Sequence, residues 1–165
     1  MPAAKNLKRL GLEFIRLPVY WDEVAPNKPA SFNFKKVQSQ LQICQNLKLQ
    51  VVLTLGMKAP RWPEYHWPAG VAKNPRNHDT QQKTLDLIHQ TIKQTQKFTC
   101  ISHWQVENEP LDLSGPKLLT INRQFLAKEV ELVRSLDPRP ILLNAWGNFL
   151  NLKNLRFLAQ LADII

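Results

Sequence analysis

The stretch ISHWQVENEP, residues 101–110, closes an apolar and aromatic run with two carboxylates and an amide. The run has the composition of a buried strand, and Glu107, Asn108 and Glu109 follow it directly. Ionising a carboxyl group beside tryptophan and valine is costly, because such surroundings hydrate the charge poorly. Pro110 has no N–H to donate, so it suits the point at which a strand leaves a sheet. The stretch therefore predicts a strand that delivers ionisable groups to its carboxyl end.

Similar runs recur on both sides of this stretch and alternate with segments of helical periodicity. Gly11 is well placed to end the first helix, and Ser31 or Asn33 could cap the second. The last three residues, DII, read as the beginning of another strand. The predicted strands are 13–19, 50–56, 100–106 and 139–146, and the predicted helices are 3–10, 31–47, 80–98, 115–137 and 151–162.

Alternation of strand and helix predicts an α/β protein with a parallel sheet, either a doubly wound sheet or an eight-stranded β/α barrel. A doubly wound nucleotide-binding sheet would need a Gly-rich turn after its first strand, and the sequence contains no such motif. Polar and aromatic residues instead follow each predicted strand. The loops after the strands of a barrel build its site, so this pattern favours the barrel.

Four segments together resemble a known family. FIRLPVYWDEVAP, VVLTLGMKAPRWPE, WQVENEP and ILLNAWGN, in this order, are similar to the cellulase-like glycoside hydrolases of family 5 and their barrel relatives. The resemblance runs through nearly the whole chain and is most specific at WQVENEP. It implies a partial (β/α)8 TIM barrel, strands two to five with their helices, with the first and last strands missing. Residues 1–165 would then be one partial catalytic domain.

The resemblance also implies roles for residues at the carboxyl ends of the strands. Glu109 would be the general acid/base, which protonates the leaving oxygen and then activates water. Asn108 would hydrogen-bond the sugar 2-hydroxyl, and Arg16 would hold the nucleophilic carboxylate ionised. Flat rings at the rim could stack on sugar faces, and the candidates for substrate binding are Trp21, Trp62 and Trp146.

Several assignments stay open on the residues alone. Glu107 would share a strand face with Glu109 and could raise its pKa, or it could pack inside the barrel against Arg16, which we prefer. Glu109 could also merely cap a turn, and any single tryptophan could be core. Many family members have a histidine after the third barrel strand. Here that role is unfilled or is taken by another cation among Lys58, Arg61 and His66.

The catalytic nucleophile of the family is a glutamate at the end of the seventh strand, and no residue of this sequence matches it. A retaining mechanism needs two carboxyl groups about 5–5.5 Å apart. We therefore expect the chain on its own to have little or no glycosidase activity. Unpaired edges of a partial sheet also predict self-association.

Composition excludes few classes of protein. Hydrophobic residues make up 44% and charged residues 21% of 165, which is typical of globular proteins. No apolar run approaches the roughly 18 residues that a membrane span needs, and the N-terminus has no signal-peptide core. Localisation stays open, cytoplasmic or truncated upstream. Cys44 and Cys100 lack metal-ligand spacing and are predicted to be buried thiols; His66 and His103 are predicted to be structural. No metal or cofactor is expected.

The net charge of +9 raises the question of nucleic acid. The lysines and arginines are spread over the chain, with no run of five like charges, so we predict solvated helix faces and no nucleic-acid partner. The predicted partner is an oligosaccharide, polysaccharide or glycoside substrate. A carbohydrate-binding remnant without catalysis is the alternative function, and a basic nucleic-acid-binding domain is a third that rests on charge alone.

Overall fold

The computed structural model describes residues 2–28, 31–146 and 151–165. Within these ranges helices and strands alternate along the chain as the sequence predicts. The strands are β1 (Phe14–Pro18), β2 (Gln50–Leu55), β3 (Ile101–Val106) and β4 (Ile141–Leu142), and the helices are α1 (Pro2–Arg9), α2 (Trp21–Val24), α3 (Lys35–Asn46), α4 (His78–Thr95), α5 (Arg123–Leu136) and α6 (Leu152–Leu161).

The strands form one parallel sheet in the order β1-β2-β3-β4. Each strand pairs with the next one along the chain, as consecutive strands of a barrel do, whereas a doubly wound sheet reverses its order at a switch point. Ile164 makes a parallel bridge to Leu142 on the far side of β4. The prediction that the last residues begin another strand is therefore confirmed.

The core lies between the sheet and the helices that connect its strands. Strand β2 is buried on both faces, since Leu53 and Leu55 on one face and Thr54 on the other are at most 1% exposed, as a central parallel strand requires. Helices α4 and α5 pack against each other over this layer. The side chains that are fully buried and largest include Trp21, Trp104, Leu41, Leu49, Leu87, Ile88, Ile92 and Ile121.

Helix starts differ most from the predictions. α3 begins at Lys35, four residues later than predicted, and Phe34 occupies its N-cap position without a side-chain cap. Asn33 accepts a hydrogen bond from the Lys35 N–H at 3.1 Å but lies one residue before that position. α4 and α5 begin after Asn77 and Asn122, whose side chains cap them by accepting from Thr80 and Phe125 N–H groups.

Two further elements depart from the sequence reading. The short helix α2 was not predicted, and β4 covers two residues instead of 139–146. In the ILLNAWGN motif, residues 147 and 148 lie outside the described residues. Among the described strands β1 pairs only with β2, and self-association through that edge stays a prediction.

Cys44 and Cys100 are both buried and free, as predicted. Burial raises the pKa of the Cys44 thiol to about 11. None of the described helices combines the length and the apolar character that a membrane crossing would require.

Candidate active site

The carboxyl ends of the four strands lie along one edge of the sheet because the strands are parallel. The loops that follow β2 and β3 carry most of the polar side chains there. Met57 and Lys58 follow β2, and Glu107, Asn108 and Glu109 follow β3. This edge is the candidate active site.

The backbone leaves the extended conformation directly after β3. Glu107 and Glu109 have positive φ values of 61° and 48°, in the left-handed region that residues other than glycine rarely adopt. The prediction that both side chains share a strand face is therefore wrong, because the strand ends at Val106. Glu107 is completely buried, whereas Glu109 is partly exposed at the rim.

Glu107 ties the end of β2 to the end of β3. Its Oε1 accepts from the Met57 N–H at 2.9 Å and its Oε2 accepts from the Lys58 N–H at 2.5 Å. The predicted pairing of Glu107 with Arg16 is wrong, because the Arg16 guanidinium bonds Asn108 and Glu107 faces these two backbone amides.

A second buried carboxyl group, Glu129 on α5, lies beside Glu107, and neither of its oxygens has a donor among the described residues, so the two carboxyl groups can bond each other only when one of them carries a proton. Burial raises the pKa of Glu129 well above its ordinary value, and the adjacent Glu107 charge raises it further. Burial also raises the pKa of Glu107 to about 6, against the opposing effect of the bonds from Glu129, Met57 and Lys58. Glu129 is therefore the protonated partner, and its O–H donates to the Glu107 carboxylate.

Gly56 makes room for this pair. Its φ is 107°, and a Cβ added there would lie 2.2 Å from Glu107 Oε1 and 2.3 Å from its carboxyl carbon. We expect Gly56→Ala to lower the free energy of unfolding by about 2 kcal/mol, because strained backbone adds to the displacement of a bonded carboxylate. Urea denaturation of the purified chain measures this change in the free energy of unfolding.

Gly70→Ala is the matched control for that substitution. Gly70 also has a positive φ, 78°, but nothing lies within 4 Å of an added Cβ. In the control, only the strain of a positive φ should lower the free energy of unfolding, by about 1 kcal/mol. Equal losses at the two glycines would show that the Glu107 carboxylate does not restrict this position.

Asn108 is held by its amide oxygen. Arg16 Nη1 and Asn144 Nδ2 both donate to Asn108 Oδ1, each at 3.3 Å. Asn144 Oδ1 in turn accepts from the Glu109 N–H at 2.9 Å and from Gln105 Nε2 at 3.0 Å. Asn144 thus bonds Asn108, Glu109 and Gln105 directly, and Arg16 is joined to it only through Asn108. Its place within the predicted strand 139–146 did not identify this role.

The Glu109 carboxyl group has a raised pKa. Partial burial is the main cause, Glu64 and Asp112 add to it, and the cations Lys58 and Arg16 oppose it. No donor in the described part of the chain hydrogen-bonds the carboxylate itself, so its oxygens are open to a ligand. The structure thus brings Arg16, Asn108 and Glu109 to one place.

Lys58 supports the backbone of this turn from below. Its ammonium is completely buried and donates to the carbonyl oxygens of Glu109 at 2.5 Å and Asp112 at 2.9 Å. Glu64 Oε2 lies 3.6 Å from the same nitrogen. Burial lowers the pKa of Lys58, and the surrounding carboxylates oppose that effect. Of the three cations that could replace the family histidine, Lys58 is the one bonded to the Glu109 backbone.

The other two cations lie elsewhere. Arg61 is exposed, and His66 Nδ1 lies 3.6 Å from Asp22 with its ring against Tyr20 at 4.2 Å. Within the described ranges, no group of three or more histidine, cysteine or acidic side chains could hold a metal ion.

The predicted tryptophans divide into two kinds. Trp21 is 0% exposed and packs near Trp67, with ring centroids 6.4 Å apart, so its prediction as a substrate contact is wrong. It lies on the unpredicted helix α2, which turns the ring into the core. Trp62 and Trp146 are 72% and 47% exposed, and both could meet a ligand. Trp67 is not among these three candidates, yet its ring stacks on that of Tyr65 with the centroids 5.1 Å apart.

A sequentially ordered parallel sheet with its polar groups at the carboxyl ends of the strands defines a protein of the β/α-barrel class. The family is shown by sequence: the model of the cellulase family, glycosyl hydrolase family 5, matches residues 2–159. The chain therefore belongs to glycosyl hydrolase family 5. No curated protein matches it.

Solved structures of glycoside hydrolases share the fold. A GH5_18 protein from Bifidobacterium longum subsp. longum in complex with Manβ1-4GlcNAc superposes with a TM-score of 0.71 at 13% identity, over 91% of this chain and 39% of its own. A β-galactosidase from Halorubrum lacusprofundi superposes with a TM-score of 0.71 at 13% identity, over 99% of this chain and 36% of its own. A GH5_18 protein from Streptomyces cattleya superposes with a TM-score of 0.69 at 12% identity, over 87% of this chain and 38% of its own.

These likenesses confirm the α/β class and the partial-barrel arrangement predicted from sequence. The chain spans between 36% and 39% of the length of those three structures.

Proposed function

We propose that the chain is part of the catalytic domain of a retaining O-glycoside hydrolase in which Glu109 is the general acid/base. The observation that carries the proposal is the position of Glu109 at the carboxyl end of β3, partly buried, beside Asn108 and Arg16. A raised pKa keeps a carboxyl group protonated closer to neutral pH, as proton donation to a leaving oxygen requires.

The contacts of Asn108 support a substrate role for its amide nitrogen. Both hydrogen bonds from Arg16 and Asn144 use the amide oxygen, so the nitrogen stays available to donate to a sugar hydroxyl. A bond of that kind to the 2-hydroxyl strengthens in the oxocarbenium-like transition state. Trp62 follows β2 and Trp146 follows β4, and their exposed rings suit the faces of a sugar.

The second carboxylate of the pair is proposed to lie outside these 165 residues. Glu64 and Asp112 are the carboxylates that act on Glu109, yet Glu64 is paired with Lys58, and Asp112 accepts from the Trp146 N–H at 2.7 Å. Both are engaged in holding the loops together. The share of the similar structures that the chain spans leaves room for the remaining strands.

The experiment compares two polypeptides on a panel of 4-nitrophenyl β-glycosides that includes galactosides. One is the 165-residue chain, and the other is the longest product of the coding sequence that contains it. We expect no hydrolysis by the first, and hydrolysis with retained anomeric configuration by a product that carries a further strand ending in glutamate. Proton NMR of the first-formed sugar reports the configuration.

Two results would count against the proposal. Hydrolysis by the 165-residue chain at enzymatic rates would refute an external nucleophile. A longer product with the additional glutamate that binds oligosaccharides but cleaves no substrate of the panel would refute the hydrolase and establish the carbohydrate-binding alternative.

A further inference from the structure

A cavity of about 230 Å³ lies beside the candidate active site, between the loop after β2 and the loop after β3. It is smaller than the roughly 300–1,000 Å³ of sites for drug-sized ligands, so it suits one ring-sized group. The residues that line it are Pro63, Tyr65, Trp67, Lys73, Ser114, Gly115, Pro116, Lys117 and Leu119.

The two loops that form the cavity approach each other closely at Gly115. A Cβ added at Gly115 would lie 2.9 Å from the Pro63 carbonyl oxygen and 3.3 Å from the Tyr65 ring. Each loop is also closed on itself by an antiparallel bridge, Lys58 to Tyr65 in one and Ser114 to Leu119 in the other.

The walls of the cavity offer flat rings. The rings of Tyr65 and Trp67 are 5.1 Å apart and within 8° of parallel, and Trp67 is only half-buried. Pro63 and Pro116 add two further ring faces. Flat, rigid apolar surfaces of this kind bind the C–H faces of a pyranose at low entropic cost.

The rim of the cavity is cationic. Lys73 and Lys117 are both exposed, and no carboxylate of the described residues lies within 4 Å of either ammonium. The adjacent acid Glu64 is instead drawn inward to Lys58. Ser114 Oγ is buried without a partner in the described part of the chain, which leaves one polar group for a ligand to satisfy.

The cavity is connected to the proposed acid/base through one side chain. The Lys58 ammonium lies 6.0 Å from the centre of the Tyr65 ring and donates to the Glu109 carbonyl oxygen. The cavity wall and the turn that carries Glu109 therefore share Lys58 as a common neighbour.

We propose that this cavity is a subsite for an acidic sugar unit, whose ring stacks on the aromatic wall while its negative group meets Lys73 and Lys117. The inference rests on the proposed function and makes it more specific, since it assigns the substrate to glycans that contain charged sugars such as hexuronates. The excess of 22 basic over 13 acidic residues favours such a substrate.

The test compares the binding of cellobiouronic acid and cellobiose, which differ by one carboxylate, to the 165-residue chain. Calorimetry gives the affinities, and NMR shifts of the tryptophan indoles give the location. At low salt we expect the acid to bind about five-fold more tightly, as two exposed charge pairs allow. That ratio should fall as salt is raised.

Two pairs of substitutions separate the cavity from the overall charge. Lys73→Gln with Lys117→Gln should bring the ratio to about one, whereas Lys93→Gln with Lys128→Gln, the same charge change on exposed faces of α4 and α5, should leave it unchanged. Trp67→Leu should weaken both ligands alike.

Equal affinity for the two sugars in the unsubstituted chain, a ratio that survives the Lys73 and Lys117 changes, or binding of neither sugar at millimolar concentration would overturn the subsite. None of these results bears on hydrolysis, which the glycoside assay decides through Glu109. Conversely, a protein that hydrolyses no glycoside can still be tested for the affinity ratio of the two sugars.

Discussion

Glu109→Ala is expected to slow the hydrolysis of glycosides with strongly basic leaving groups by about 10²–10⁴-fold, the usual contribution of a positioned proton donor. For leaving groups that need no proton, such as 2,4-dinitrophenolate, the substitution should slow the glycosylation step far less. The measurement is kcat/KM over a series of aryl glycosides, with the polypeptide that carries both carboxylates.

The pH dependence of kcat/KM is a second test of the role of Glu109. A general acid acts in its protonated form, so kcat/KM of the unsubstituted enzyme should fall as pH rises through the pKa of Glu109, which partial burial raises. The alanine variant should lose this alkaline limb.

Glu131→Ala is the control, because Glu131 is exposed on α5 and the chemical change is identical. An equal loss for all leaving groups in Glu109→Ala would show that this carboxyl group does not donate the proton.

Much of the fold was accessible from sequence because its central strands are buried on both faces. β2 and β3 lie within a residue of their predicted bounds, since continuous apolar runs such as QVVLTL leave few alternatives. Strand β4 was over-extended because its ladder with β3 covers only two residues, which no local pattern encodes. The starts of α4 and α5 had a local signal, the capping residues Asn77 and Asn122, that a periodicity reading passes over.

The site was predictable where its residues lie on strands or directly follow them. Arg16, Asn108 and Glu109 meet because parallel strands end at one edge. The burial of Glu129 had a signal as well, since it shares the apolar face of α5 with Leu126, Val130 and Val133. Its partner could not be inferred, because the turn that points Glu107 inward depends on a positive φ.

The second prediction concerns the buried pair of Glu107 and Glu129. Glu107→Ala should lower the free energy of unfolding by about 3–5 kcal/mol. The substitution leaves the buried N–H groups of Met57 and Lys58 without an acceptor and Glu129 without a partner. The conformation of the turn that carries Asn108 and Glu109 should loosen with it. Urea denaturation at constant pH measures the loss.

Glu129→Gln is the conservative counterpart, because an amide can still donate to the Glu107 carboxylate. Its expected cost is about 1 kcal/mol near neutral pH, and its larger effect is on pH dependence. The folded pKa of Glu129 is raised above the ordinary value of 4.5, so its contribution to stability is complete below that value. The contribution is then lost as pH rises toward the folded pKa.

Stability of the unsubstituted chain should therefore decline with rising pH above 4.5 more steeply than that of Glu129→Gln, and the difference between the two isolates Glu129 from the other carboxyl groups. Unfolding midpoints between about pH 4.5 and 8 provide the comparison. Parallel curves for the two proteins would mean that Glu129 releases no proton on unfolding, and that Glu107 is held by the backbone amides alone.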